Sequence, residues 1–147
     1  MARIRRWPAY ALAALFLGYA AGKAAFAAQH RLGFPGGPPV SAAETAAYFL
    51  DPAVAQWFAC ATGIAGAAVA VAAVTATGQR VPRPIMLLML ALMGLAITGG
   101  GAIMAVDGFV GVGIGWSWYH GLLGLALIAL TAETLRSYAR MSRRARP

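Results

Sequence analysis

The chain has 147 residues, of which 61% are hydrophobic and only 11% are charged, and its formal net charge is +8. A composition this apolar excludes an ordinary soluble domain and is typical of integral membrane proteins. The arginines punctuate apolar runs instead of clustering on a solvated domain, so we expect no nucleic-acid partner. The single cysteine, Cys60, excludes an intrachain disulfide and a thiolate metal cluster.

The first predicted membrane span covers residues 9–28, directly after a basic start and the pair Trp7 and Pro8. At a rise of about 1.5 Å per residue, this length crosses a hydrocarbon core of about 30 Å. The same segment also has the features of a secretory signal, with residues 25–27 as the cleavage site. We favour a retained span, because the apolar stretch is long for a signal.

The predicted outer loop, residues 29–52, contains the turn-rich sequence GFPGGPP. Ser41 and Glu44 then have the spacing of a capping box, which predicts a short helix lying in the headgroup region. Asp51 followed by a proline predicts the start of the second span, over residues 53–76.

The third predicted span, residues 85–106, contains no charged residue, and the fourth covers residues 116–135. Between them, residues 107–115 are rich in glycine, and three interpretations fit: a flexible connector, an early start of the fourth helix, or a re-entrant segment. We favour the connector, because glycine weakens a helix. A basic tail, residues 136–147, ends the chain. The chain as a whole, residues 1–147, is predicted to be a single membrane domain, an all-α bundle of four transmembrane helices.

Small residues four positions apart predict where the spans pack. Gly18 and Gly22 have this spacing on the first span, and Ala59 and Gly63 have it on the second. The spacing lets two helix backbones approach closely in a bilayer, where apolar side chains supply no drive to associate. We therefore expect these four residues at helix contacts.

The distribution of charge predicts the orientation of the spans. The side that carries both termini holds ten arginines and Glu133, a net charge of +9, whereas the opposite side has a net charge of −1. The positive-inside rule then places both termini in the cytoplasm. The charged residues on the opposite side are Lys23, Arg31, Glu44, Asp51 and Asp107.

Five polar or ionisable residues are candidates for a functional site. Tyr19, Lys23 and His30 lie on one face of the first span towards its outer end. Asp107 and His120 end the third span and begin the fourth at the same level. Because intramembrane ionisable groups are functional candidates, we predict an outward-facing polar cavity lined by these residues. The competing interpretations are that Lys23 reaches the headgroups and that the histidines are ordinary interfacial residues.

The motifs of catalysis and metal binding are missing from the sequence. Two histidines on different helices suit haem, but there is no H-x-x-x-H or H-x-x-E spacing and no third ligand nearby. We therefore predict no metal site and no cofactor, with haem as the alternative. The chain has no nucleophile elbow, P-loop or dinucleotide motif, so we expect it not to be an enzyme.

Residues 31–37, RLGFPGG, follow a lysine-containing first span. In this feature, in length and in span number, the chain resembles the small uncharacterised four-span membrane proteins of GC-rich bacteria, a resemblance that implies no activity. The leading hypothesis is a non-enzymatic accessory, scaffold or envelope component of the bacterial plasma membrane, whose partners are the lipid bilayer and other membrane proteins or further copies of itself. The alternative is binding or transport of haem, a quinone or an anionic solute in the outward-facing cavity.

Overall fold

The computed structural model describes residues 5–113 and 115–144, and within these ranges the chain is helical, with no β-strand. Four helices are long and apolar enough to cross a membrane. The prediction of an all-α protein with four such helices is therefore confirmed. In chain order, the helices are α1 (Trp7–Ala28), α2 (Ala42–Ala46), α3 (Pro52–Ala72), α4 (Ala76–Gln79), α5 (Arg83–Val110) and α6 (Trp118–Arg144), of which α2 and α4 are short.

Two of the predicted helix starts are made by capping side chains. The Ser41 hydroxyl accepts the Glu44 N–H at 3.1 Å, and the Glu44 carboxylate accepts the Ser41 N–H at 2.8 Å, which completes the capping box of α2. The Asp51 carboxylate accepts the Val54 N–H at 3.1 Å and caps α3. These bonds set the points at which the loop after α1 turns into α2 and α3.

The second long helix is shorter than the span predicted for it. It ends at Ala72 instead of residue 76, and the chain turns there before the single turn of α4. Gly78 lies against the Ala72 carbonyl, in a place where any side chain would collide with it. The turn between α3 and α5 is therefore built on this close approach.

The third and fourth long helices both extend beyond their predicted spans. Asp107 does not end the third helix, since α5 continues for one more turn to Val110 and is capped by Gly111. The φ of +71° at Gly111 is the left-handed conformation common at helix C-termini. Helix α6 continues through most of the predicted basic tail, and the rest of that tail, residues 145–147, lies outside the described residues.

The long helices pack as two antiparallel pairs, α1 with α3 and α5 with α6. The pairs meet through α1 with α6 and α3 with α5. Ser137 Oγ donates a hydrogen bond of 3.0 Å to the Arg5 carbonyl oxygen, so the first and last described segments lie together. We call this the terminal end of the molecule. The opposite end, which carries residues 29–51, is the loop end.

A cluster of buried apolar side chains lies towards the terminal end and joins both helix pairs. Leu12 of α1, Met86 and Leu90 of α5 and Tyr138 of α6 belong to it. Many apolar side chains on other faces remain exposed, among them Leu95, at 72%. This distribution suits helices surrounded by lipid, where apolar side chains can face outwards.

The predicted small-residue contacts lie in different environments. Gly63 packs against α1, where a Cβ atom would lie 3.0 Å from the Tyr19 ring, and Ala59 is partly buried. Gly22 lies against the side chain of Pro35 in the loop instead of against a helix. Gly18, expected at a helix contact, lies on an exposed face with open space around it. Its face of α1 is turned away from α3.

A close approach between α5 and α6 involves glycines that were not predicted as contact residues. A Cβ atom on Gly101 of α5 would lie 2.9 Å from the Gly124 carbonyl oxygen of α6. One on Gly108 would lie 2.8 Å from the Gly121 nitrogen. The signal was the recurrence of Gly94, Gly101 and Gly108 every seven residues, which places them near one face of a helix with about 3.6 residues per turn.

Candidate functional site at the loop end

The loop after α1 folds back onto the helices through an aromatic side chain. Residues 34–37 form a turn in which the Gly37 N–H bonds to the Phe34 carbonyl oxygen at 2.8 Å. The Phe34 ring centroid lies 5.4 Å from that of Tyr19 and 5.0 Å from that of Trp116. Trp116 in turn contacts the His120 ring edge to face, with centroids 4.9 Å apart. One row of rings thus links α1, the loop and α6.

Lys23 is held within this row by the loop backbone. Its Nζ donates a hydrogen bond of 2.6 Å to the Gly33 carbonyl oxygen. The same Nζ lies 5.4 Å and 5.5 Å from the ring centroids of Tyr19 and Phe34, within the range of cation–π attraction. Gln56 of α3, which is 3% exposed, also donates to the Gly33 carbonyl, at 3.1 Å. Helices α1 and α3 therefore share one loop carbonyl as an acceptor.

His120 fastens the next part of the loop to α6. Its Nδ1 accepts the Ser117 N–H at 3.1 Å, so the ring proton is on Nε2, which donates to the Gly36 carbonyl oxygen at 2.6 Å. The side chain is buried, at 6% exposure. These two bonds fix the ring's tautomer and orientation.

Asp107 organises the connection between α5 and α6. Its carboxylate accepts the backbone N–H groups of Gly113 at 2.6 Å, Gly115 at 3.1 Å and Trp116 at 3.0 Å. A Cβ atom on Gly113 would lie only 2.8 Å from the carboxylate carbon, so glycine is needed for this approach. Of the glycine-rich segment, residues 107–110 are the last turn of α5, and residues 111–113 and 115 belong to a connector that folds around the buried carboxylate and precedes α6.

His30 lies apart from the other candidates. Its side chain is exposed and its backbone has a φ of +49°. It borders a surface pocket of about 780 Å³ that is also lined by Arg31, Asp51 and the aromatic residues after α2. Of the five predicted site residues, the structure brings Tyr19, Lys23 and His120 into one network with Asp107 beside it, and it leaves His30 outside.

Three residues of this network were missed by the sequence analysis. Gln56 carried a detectable signal, because it is a lone amide one turn inside an apolar span. Phe34 and Trp116 had no comparable signal, since aromatic residues in a loop or at a helix start are ordinary membrane anchors. Gln56 Oε1 and Trp116 Nε1 are buried atoms that bond to no described residue.

The chemistry of the loop end is hydrogen bonding between fixed side chains and loop backbone. Among residues 5–113 and 115–144, no group of three or more His, Cys, Asp or Glu side chains is placed to hold a metal ion. No protein-family model matches the chain, and neither a curated protein nor a solved structure shows significant similarity to it.

Proposed function

We propose that the protein is a non-enzymatic, multi-pass component of the bacterial plasma membrane that acts as an accessory or scaffold. The observation that carries the proposal is that Lys23, Asp107 and His120 each bond to loop backbone. Because their polar atoms already bond to the loop, these side chains hold the loop surface in one conformation. Catalysis and transport need groups that reach a substrate.

The proposed orientation has the loop end outside and both termini in the cytoplasm. The difference in net charge between the two sides supports this orientation. The hydrogen bond from Ser137 to the Arg5 carbonyl supports placing both termini on the same side. We further propose that α2 lies in the outer headgroup layer. Phe49, which follows α2, is 80% exposed, and an aromatic side chain so exposed beside a span suits the membrane interface.

The test compares two histidine variants in purified protein. His120→Asn removes the buried donor to the Gly36 carbonyl, so we expect a lower unfolding midpoint in detergent. His30→Asn is the matched control, because the His30 side chain is exposed and Asn tolerates a positive φ. We expect its midpoint to equal that of the wild type.

Haem, a soluble quinone or an anionic solute should shift none of these midpoints. A ligand that raises the wild-type midpoint but not that of His120→Asn would contradict the proposal.

The second candidate function, a small-molecule site at the loop end, is favoured by one observation. Buried polar atoms usually have a hydrogen-bond partner, and Gln56 Oε1 and Trp116 Nε1 have none among the described residues. A bound polar molecule would supply a donor to the first atom or an acceptor to the second.

This candidate is tested by following indole fluorescence while haem, a soluble quinone or a small carboxylate is added. A saturable change that Trp116→Phe removes would favour the site over the scaffold. Trp118→Phe is the control, because Trp118 is 64% exposed. A fluorescence change that persists in Trp116→Phe, or no fluorescence change at all, would exclude the small-molecule site.

A further inference from the structure

A groove between α5 and α6 opens at the terminal end of the molecule. Its volume is about 760 Å³, within the range of about 300–1,000 Å³ typical of small-molecule sites. Small residues such as Ala91, Gly94 and Ala132 are part of its lining, so the helices leave space between their larger side chains. A Cβ atom on Gly94 would have only one neighbour within 4 Å, Leu135 Cδ1 at 3.8 Å.

Two arginines line the mouth of the groove. Arg83 is the first residue of α5, and Arg143 lies in the last turn of α6. Both side chains are exposed, and neither forms an ion pair with a residue that the structure describes. Glu133 pairs with Arg136 instead, at 2.5 Å. The mouth therefore carries two positive charges that no acidic side chain among residues 5–113 and 115–144 pairs with.

The length of the groove corresponds to one leaflet of a bilayer. Its lining on α5 runs from Arg83 to Thr98, a distance of about 22 Å along a helix axis. One leaflet contributes about 15 Å of hydrocarbon, to which the headgroup layer is added. With the arginines at the headgroup level, the apolar part of the groove follows the acyl chains.

We propose that this groove binds an anionic phospholipid, with the phosphate between Arg83 and Arg143 and an acyl chain along Leu87, Gly94 and Leu95. Arginine is well suited to phosphate, because its planar guanidinium donates two parallel hydrogen bonds. Basic residues at the end of a cleft between transmembrane helices recognise acidic headgroups in the same way. The bound lipid would bridge α5 and α6. The inference does not depend on the proposed scaffold function.

The test measures lipid binding to the purified full chain in detergent by native mass spectrometry. The probes are phosphatidylglycerol and phosphatidylcholine with identical acyl chains. We expect a preference for phosphatidylglycerol, which falls about 5-fold in Arg83→Gln or Arg143→Gln and about 30-fold in the double variant. The matched control is the double variant Arg80→Gln and Arg140→Gln, at two exposed arginines outside the groove lining. An equal loss in the control would show general surface charge and overturn the proposal.

A second variant pair tests the apolar part of the groove. Gly94→Leu places a side chain in the open space, so we expect weaker binding of both lipids. Gly100→Leu is the control, because Gly100 is exposed and has no neighbour within 4 Å of a Cβ atom. Unchanged binding in Gly94→Leu would overturn the proposal, and so would displacement of phosphatidylglycerol by inorganic phosphate, which would show an anion site without a lipid. The arginine variants decide the question if Gly94→Leu does not fold.

Discussion

Lys23 shows how this chain accommodates a charged side chain near the end of an apolar helix. A lysine at the centre of a membrane span costs about 2.5–3.5 kcal/mol on insertion scales. Snorkelling would carry its ammonium group out to the headgroups. In the structure the loop comes to the lysine instead, and supplies the Gly33 carbonyl and the Phe34 ring. The charge then becomes a point of attachment for the loop.

Asp107 likewise holds a loop by hydrogen bonds, in this case the connector between α5 and α6. Replacing it by asparagine puts an amide NH₂ among three N–H donors, so we expect Asp107→Asn to lower the free energy of unfolding by about 2 kcal/mol or more. The measurement is denaturant unfolding in detergent. The control is Asp51→Asn, because asparagine caps a helix about as well as aspartate does. Equal stability of Asp107→Asn and the wild type would show that the connector does not depend on the carboxylate.

At the level of single residues, sequence predicts the candidates better than it predicts their partners. Tyr19, Lys23, Asp107 and His120 stand out because ionisable or hydroxyl-bearing groups are rare in apolar runs. Their partners are mostly backbone carbonyl and N–H groups of glycine-rich loops, which every residue type carries. Side-chain patterns therefore give no sign of them. Helical spacing groups His30 with the others, but α1 ends two residues before it.

Among the helices, the close contact between α5 and α6 depends on glycines that face each other. Gly101 and Gly100 are neighbours on α5, yet only Gly101 faces α6. We expect Gly101→Ala to destabilise the protein by about 1–3 kcal/mol, because its methyl group would meet the Gly124 carbonyl. Gly100→Ala should be neutral, or stabilising by up to about 1 kcal/mol, because alanine is the better helix former. Thermal unfolding of the two variants in one detergent measures the difference. The reverse order of stability would refute the observed helix contact.

The capping box of α2 makes a small element depend on pH. Hydrogen bonds from the Ser41 hydroxyl and backbone N–H hold the pKa of Glu44 below its ordinary value of 4.5. The box therefore contributes its full stability above that ordinary value, and the contribution is lost as the pH falls through the lowered pKa. We expect the amide NMR signals of Ser41 and Glu44 to shift together in this acidic window. Glu44→Gln should remove the pH dependence, and a signal that titrates unchanged in that variant would contradict the assignment.

The helices themselves were predictable from apolar length, and their ends only in part. Side-chain caps at Ser41 and Asp51 are local patterns, so they could be identified from the sequence. The ends of α3 and α5 depend on tertiary contacts, such as Gly78 against the Ala72 carbonyl and the connector around Asp107. A helix can also continue beyond its apolar span when the next residues are helix formers, as α6 does.

For the whole molecule, composition and charge account for the architecture more fully than any motif does. Four apolar helices leave large side chains exposed on their outer faces, which a bilayer tolerates and water does not. Polar contacts and aromatic rings are concentrated at the loop end, and the apolar cluster lies towards the terminal end. The two ends differ in net charge as well, and the proposed orientation rests on this difference.

The most direct test of the account is cysteine labelling of the two ends in intact bacterial cells. In a Cys60→Ala background, Ala43→Cys places the only thiol in α2 at the loop end, and Gln79→Cys places it in α4 at the terminal end. Both positions are exposed. We predict that a membrane-impermeant maleimide labels the first variant in intact cells and the second only after permeabilisation. Labelling of Gln79→Cys in intact cells would contradict the proposed orientation, and recovery of the protein in the soluble fraction without detergent would contradict the membrane fold.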